Sequence, residues 1–353
     1  MTEILELIRN LLVFIVILGS AIFIHEFGHF LASRLFRVEI EEFGFGLPPK
    51  MLELGVWRGT RFTLNWIPLG GFVRPKGEYD PESTDGFAAS SPIARISIFL
   101  AGALANLILG FAILTTAFMA GGPEEQRVRV LEVYPSTPAD RAGLMAEDII
   151  VEVNGAQIEG AIQLRQLIRS NLGVPMEFVV DRRGAEVQIQ LTPRVKFPED
   201  EGPAGFASRG VIARHNVIDA AENSLAQIGL IVQETGRAIY SAVAGDLDQG
   251  EVRLVGLGGL KQASDWALEG SIRWGASYPI LYLAALINVG LGLTNLLPIP
   301  ALDGGRVVLV LLEMLRGRRL NAQLEKWIHV AGALTLIALM VLLTVRDILF
   351  PLF

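Results

Sequence analysis

From Ile96 to Gly122 the chain carries no charged residue. That run is longer than the roughly 20 residues a helix needs to cross a bilayer, which leaves few alternatives to a membrane span. Three further stretches qualify: about Leu5 to Leu31, Trp274 to Leu302 and Trp327 to Val345. In hydrocarbon each backbone polar group has to be satisfied within its own segment, so these stretches read as helices. Composition agrees, because 51% of the 353 residues are hydrophobic and only 19% charged. The mean hydropathy is +0.45, too apolar for an ordinary soluble chain. The fold class that follows is an α-helical polytopic membrane protein with about four transmembrane helices.

The first span is the unusual one. Its uncharged run from Asn10 to Ile24 falls short of a bilayer, and the helix crosses only by continuing through His25-Glu-Phe-Gly-His-Phe-Leu-Ala. Ionisable side chains at membrane depth are costly and mark function. His25 and His29, four residues apart, project from one helix face and can grip one metal ion, with Glu26 beside them as a general base. This is the metalloprotease signature H-E-x-x-H. The chain has no cysteine, so a transition metal here is held by His, Asp or Glu. A catalytic zinc needs three protein ligands and an open position. The third candidate is Asp303, in Asn295-Leu-Leu-Pro-Ile-Pro-Ala-Leu-Asp-Gly near the end of the third span, at the depth of the two histidines. His215, in a polar connecting segment, and His329, beside Trp327 where polar rings anchor at an interface, are excluded as ligands. Asn106 and Asn288 read as polar groups that bond between helices.

Basic residues set the orientation. Arg34, Arg37, Lys50, Arg58, Arg61, Arg74, Lys76 and Arg95 lie between spans one and two, and Arg306, Arg316, Arg318, Arg319 and Lys326 between spans three and four. Both loops are expected to be cytoplasmic, with the termini and the long central segment outside. The expected order is span one over 1–33, a cytoplasmic membrane-associated β-rich loop over 34–95 and span two over 96–122. An extracytoplasmic domain over 123–195 follows, then a linker and amphipathic helix region over 196–272. Span three over 273–305, a cytoplasmic loop over 306–326 and span four over 327–353 complete the chain. The beginning, Thr-Glu-Ile-Leu-Glu, lacks the basic region of a cleaved signal peptide. Short strands such as Arg61-Phe-Thr-Leu-Asn-Trp-Ile suggest a small sheet in the first loop, which either offers an edge strand to an unwound substrate or serves as a lid. Glu201 to Gly210 reads as a Gly/Pro linker, and Val217 to Ala244 as a one-sided helix that lies in the membrane interface or packs on the soluble domain.

Within the central segment, Val128-Arg-Val-Leu-Glu-Val, Ile149-Ile-Val-Glu-Val-Asn-Gly and Val187-Gln-Ile-Gln-Leu alternate like strands. Pro138 to Leu144 reads as a short helix ending at Gly143, and Ile162 to Ser170 as a longer one. This inserted α+β domain resembles a PDZ domain, chiefly through Ser136-Thr-Pro-Ala-Asp-Arg-Ala-Gly-Leu, Glu147-Asp-Ile-Ile and Val153-Asn-Gly.

H-E-F-G-H, the N-x-x-P-x-x-x-L-D-G element from Asn295 to Gly304, the PDZ-like domain and Gly70-Gly-Phe-Val-Arg together resemble the site-2 proteases of bacterial type, zinc intramembrane metalloproteases, in the single-PDZ form. The resemblance covers nearly the whole chain. It implies His25, His29 and Asp303 as zinc ligands, Glu26 as general base, Asn295 as a contact to the substrate backbone, and Zn2+ as cofactor. It implies location in the inner (plasma) membrane, with the site near the cytoplasmic side. The substrates it implies are single-spanning membrane proteins, such as anti-sigma factors, or remnant signal peptides, cut within the bilayer in regulated intramembrane proteolysis. The PDZ-like domain would bind an extended peptide or act as a size filter. Two departures, Ala101-Gly-Ala-Leu-Ala-Asn106 for the usual Ala-Gly-Pro and Gly256-Leu-Gly-Gly-Leu260 for Gly-Pro-Val-Gly-Ile, touch no ligand and bear on helix geometry and substrate fit. A silent scaffold would lack Glu26 or a ligand, and a transporter would string ionisable groups along a path. The net charge of -7 argues against nucleic acid.

Overall fold

The computed structural model describes residues 2–78, 86–158, 160–198, 201–244 and 254–351. Parts of the expected first loop (79–85) and linker region (199–200 and 245–253) lie outside them. The chain divides into two units, Met1–Ala120 with Asn216–Phe353, and Gly121–His215 inserted between them. The first unit opens with α1 (Thr2–Leu35), β1 (Ile40–Trp57), β2 (Thr60–Pro75) and α2 (Pro92–Gly121). The inserted unit holds β3 (Gly122–Val133), α3 (Pro138–Arg141), β4 (Ile149–Val153), β5 (Ala156–Gln157), α4 (Ala161–Ser170), β6 (Met176–Arg182), β7 (Ala185–Leu191) and β8 (Phe206–Ala213). The first unit then resumes with α5 (Val217–Ala244), α6 (Leu257–Trp274), α7 (Tyr278–Asn295), α8 (Asp303–Arg316) and α9 (Ala322–Leu349).

Four helices among the described residues are long and apolar enough to cross a membrane: Ile4–Leu35, Pro92–Gly121, Tyr278–Asn295 and Ala322–Leu349. The third differs from expectation. Gly275 takes φ +60 and ends α6, so α7 starts only at Tyr278. At the far end α7 stops at Asn295, because Pro298 and Pro300 lack the N–H a helix needs. Residues 296–302 are non-helical, and Asp303 opens a new helix where a loop over 306–326 was expected.

In the first loop Phe43 stands opposite both Phe62 and Val73, and Gly44 opposite both Thr63 and Phe72. Residues 40–45 are thus central, and 71–75 form an edge. An aromatic cluster fixes this sheet on α1: Phe30, Ile40 and Phe43 are buried, with Phe23, Phe27, Phe45 and Phe62 packed around them. α5 turns a small-residue face inward. Ala220 is buried with Leu114 and Phe118 of α2, and Thr115 Oγ1 donates to Ser224 Oγ at 3.2 Å. Its large apolar residues Leu225, Val232 and Ile239 stay exposed. That outward row suits a lipid surface.

The inserted unit is a sheet in the order β7-β6-β4-β3-β8, with β5 paired to β4. Alternation along β6 sends Phe178 and Val180 into one core, a register shift between Ile150 and Glu152 of β4 turns both Ile150 and Val153 toward it, and α4 closes it with Leu164 and Ile168. Thr137 caps α3, Pro138 takes its first turn, and Gly143 follows it at φ +79. The expected boundary at 195 is corrected. The run from Glu201 to Gly210 is no linker, because Phe206–Ala213 is a strand that pairs with β3, Val133 opposite Phe206 and Arg129 opposite Arg209. Gly202 and Gly205, both at positive φ, only make the turn into it.

Candidate active site

α1 carries His25 and His29 one turn apart, and their rings meet edge to face with centroids 4.8 Å apart. Asp303 is brought to them from the start of α8. His25 Nε2 lies 3.0 Å from Asp303 Oδ2, and His29 Nε2 lies 3.2 Å from the same oxygen and 3.2 Å from His25 Nε2. His29 Nδ1 is 2.7 Å from the Ile98 carbonyl oxygen, which can only accept, so Nδ1 carries the proton and Nε2 presents its lone pair. Asp303 Oδ2 is buried with no hydrogen bond. Three such atoms, facing one another, fit a shared cation. Ligands about 2.0–2.1 Å from a tetrahedral zinc stand about 3.4 Å apart, close to the separations here. His25, His29 and Asp303 are also the group of metal-binding side chains found together among the described residues.

Glycines make this approach possible. A Cβ on Gly28 would stand 2.4 Å from the Ala101 carbonyl oxygen, so α1 and α2 cross in backbone contact. Gly102, next along α2, lies beneath the imidazoles: a Cβ there would be 2.5 Å from His29 Nε2 and 2.8 Å from His25 Cε1. On the other side of the site, Gly304 and Gly305 press the first turn of α8 against the carbonyls of Leu296, Leu297 and Ile299. The Asp303 carboxylate sits in that first turn, where a helix favours negative charge.

A cavity of about 390 Å³ opens over His25, His29 and Asp303 and is lined as well by Glu26, Asn295, Phe72, Val73 and Arg306. Glu26 and Asn295 therefore share it with the histidines. Asn295 Nδ2 donates to the Leu291 carbonyl of its own helix at 2.9 Å. The edge strand 71–75 runs along one wall, with the backbone of Val73 close enough to hydrogen-bond Glu26. Arg306 is tied to Glu78 at 2.6 Å and lies over the Phe99 ring. Nearby, a buried ion pair joins Arg95 of α2 to Glu313 of α8.

Three polar residues depart from the sequence reading. Among the described residues Asn288 bonds within its own helix, to the Ala284 carbonyl, and Asn106, fully buried, has no hydrogen-bond partner for either side-chain atom. Neither bonds across helices. His329 is buried within the protein, not held at its surface, and accepts a hydrogen bond from Ala301. Sequence reasoning also missed Gly102. Its only signal was the run of small residues Ala101-Gly-Ala, which in a span permits close helix contact.

A model of peptidase family M50 matches residues 13–339, and the chain belongs to that family. The zinc metalloprotease RasP of Geobacillus kaustophilus is 25% identical, over 97% of this chain and 98% of its own. A Campylobacter jejuni protein named as a candidate zinc metalloprotease is 28% identical, over 95% of this chain and 92% of its own. Among solved structures, the PDZ domain of an SdrC-like protein from Listeria monocytogenes aligns with 25% of this chain and 92% of its own, at 19% identity and a TM-score of 0.22. Family and apolar helices together make this a multi-pass membrane metalloprotease of the site-2 type.

Proposed function

We propose that the chain is a zinc-dependent endopeptidase that cuts peptide bonds inside the membrane-spanning segments of single-span proteins or remnant signal peptides, in regulated intramembrane proteolysis. The observation that carries this reading is the convergence of His25, His29 and Asp303 beside Glu26, in one cavity among helices apolar enough to span a bilayer. In this reading His25, His29 and Asp303 hold the zinc, which when bound supplies Lewis acidity toward the scissile carbonyl and the attacking water. Glu26 takes the proton from that water and delivers it to the leaving amine. His29 is kept in the ligating tautomer by its bond to the Ile98 carbonyl.

A helical peptide bond is shielded by its own hydrogen bonds, so the substrate has to be unwound where protein satisfies the freed groups. Two groups stand ready for that. The side of strand 71–75 left unpaired among the described residues offers backbone donors and acceptors along the cavity wall, and Asn295, which lines the same cavity, offers its amide oxygen. The inserted unit acts as a PDZ-like domain on the outer side of the inner membrane, and the site lies toward the cytoplasm, as the basic loops suggest.

Two measurements test this. Membrane proteins that accumulate with Glu26→Gln but not with the intact chain are the substrates, and a failure of any single-span protein or signal remnant to accumulate would sink the proposal. Substrate spans carrying Gly, Pro or Asn in their cytoplasmic half are expected to be cut faster than Leu-stiffened versions. Asn295→Ala is expected to slow the stiffened span most, by about fivefold for one hydrogen bond of about 1 kcal/mol. Equal rates for flexible and stiff spans would show that unwinding is not the site's task.

A further inference from the structure

α9 reaches the candidate metal site at one place. His329 is 6% exposed, and its Nδ1 accepts a hydrogen bond from the Ala301 N–H at 3.2 Å. One turn along the same face, Gly332 lies against Pro300: a Cβ there would stand 2.6 Å from the Pro300 carbonyl oxygen. α9 thus holds two consecutive residues just ahead of Asp303. Ala301 needs holding, because its φ of +77 is a conformation that residues with a side chain rarely adopt. The other backbone hydrogen bonds of this segment among the described residues are local: Leu296 and Leu297 donate to Leu293 and Thr294, Ile299 to Leu297 and Leu302 to Ile299, and Leu302 accepts from Arg306. Pro298 and Pro300 have no N–H to give. Packing alone does not explain an imidazole at 329. Its Nε2 is buried without a partner among the described residues, a cost that a phenylalanine of similar shape would avoid.

We propose that His329 is a positioning residue for the metal centre. By accepting the Ala301 N–H it fixes the left-handed turn ahead of Asp303, and so aims Asp303 Oδ2 at His25 and His29. It touches neither metal nor substrate. The role rests on the reading of Asp303 as a metal ligand, and it requires the neutral ring with its proton on Nε2. It also explains how α9, whose surface is otherwise mostly exposed, bears on the site.

The test is a zinc-affinity measurement by chelator competition on the full chain in detergent, with cleavage read at saturating zinc and thermal unfolding as the fold control. His329→Phe keeps the shape and loses the acceptor. His329→Asn places Oδ1 near the position of Nδ1, whereas His329→Gln places its amide at the far end of the ring. Loss of a group that orients a ligand typically weakens metal binding about ten- to a hundredfold, which is the rise in zinc Kd expected for the Phe and Gln variants. His329→Asn is expected to bind zinc nearly as the intact protein does. Unchanged affinity in both the Phe and Gln variants overturns the proposal, as does an equal loss in Asn and Gln. Should His329→Phe fail to fold, the Asn and Gln pair decides alone. Asp303→Ala, measured alongside, separates the two claims: if it keeps its zinc, the ligand assignment itself fails, whereas zinc loss there with unchanged His329 variants defeats only the positioning role.

Discussion

In the inserted unit, Thr137 and Asp148 are buried and bonded. Thr137 Oγ1 donates to a backbone carbonyl, and Asp148 accepts from Arg182 at 2.7 and 2.8 Å and from the Met145 N–H at 2.8 Å. The membrane unit is built otherwise: among the described residues Asn106 has no partner, Asn288 Oδ1 and His329 Nε2 have none, and Asp303 Oδ2 is left facing two imidazoles. Its apolar contacts are divided among several small clusters, where the inserted unit has one continuous core. The two buried polar side chains of the inserted unit are thus paired, although the Nε atoms of Arg129 and Arg194 find no partner among the described residues. Unpaired polar atoms cost stability, and they persist where function needs them.

The sharpest way to break this contrast is at the proposed ligands. His25→Ala, His29→Ala and Asp303→Ala are expected to lose zinc and cleavage while keeping the fold, whereas Glu26→Gln keeps about one zinc and loses about 10²–10⁴-fold in rate. Metal analysis of the purified protein decides it, and full zinc in Asp303→Ala would remove it from the ligand set. Next comes Gly102→Ala, which changes no polar atom yet drives a methyl into both imidazoles. Overpacking costs about 1–3 kcal/mol, so a fall in zinc affinity of about fivefold to a hundredfold is expected in a zinc titration.

A smaller effect is expected at Asn106. If its amide is truly unpaired, Asn106→Leu raises stability by about 1 kcal/mol, read as a higher unfolding temperature in detergent. A clear fall would mean that ordered water satisfies the amide and that the two units differ less than stated. The mildest test concerns acid. Burial pushes the Asp148 carboxyl up, but the Arg182 bonds and the Met145 N–H hold it below the usual carboxylate range. A depressed folded-state pKa adds stability above the unfolded value of about 3.9 and loses it as pH falls through the folded one. Protection of the inserted unit's amides, corrected for intrinsic exchange, is therefore expected to hold from pH 7 to 5 and to drop below about pH 4. In Asp148→Asn the acid drop shrinks, and protection at pH 7 falls by about 1–3 kcal/mol.

The two regions also differ in how much the sequence disclosed. His25, Glu26 and His29 were legible because one helical turn brings i and i+4 together, a purely local relation. Asp303 was legible as part of a motif, yet the support of its turn was not, since His329 and Gly332 lie in the next span and no local pattern links them to Ala301. The end of span three was misread for a related reason: apolar residues continue past Asn295, and only the two prolines signal that the helix does not. In the inserted unit the alternating strands were plain, while β8 was hidden behind Gly202 and Gly205, because a strand is fixed by its partner more than by its own composition.

The pairing of β3 with β8 has a consequence at the level of the gene. Gly122 faces Ala213 and Pro123 faces Ile212, so the chain enters and leaves this unit at two points one strand spacing apart, about 5 Å. Two such neighbouring ends can be joined, or a second copy spliced between them, with little stretching of backbone on either side. The segment can therefore be replaced or doubled as one piece without straining the backbone that flanks it.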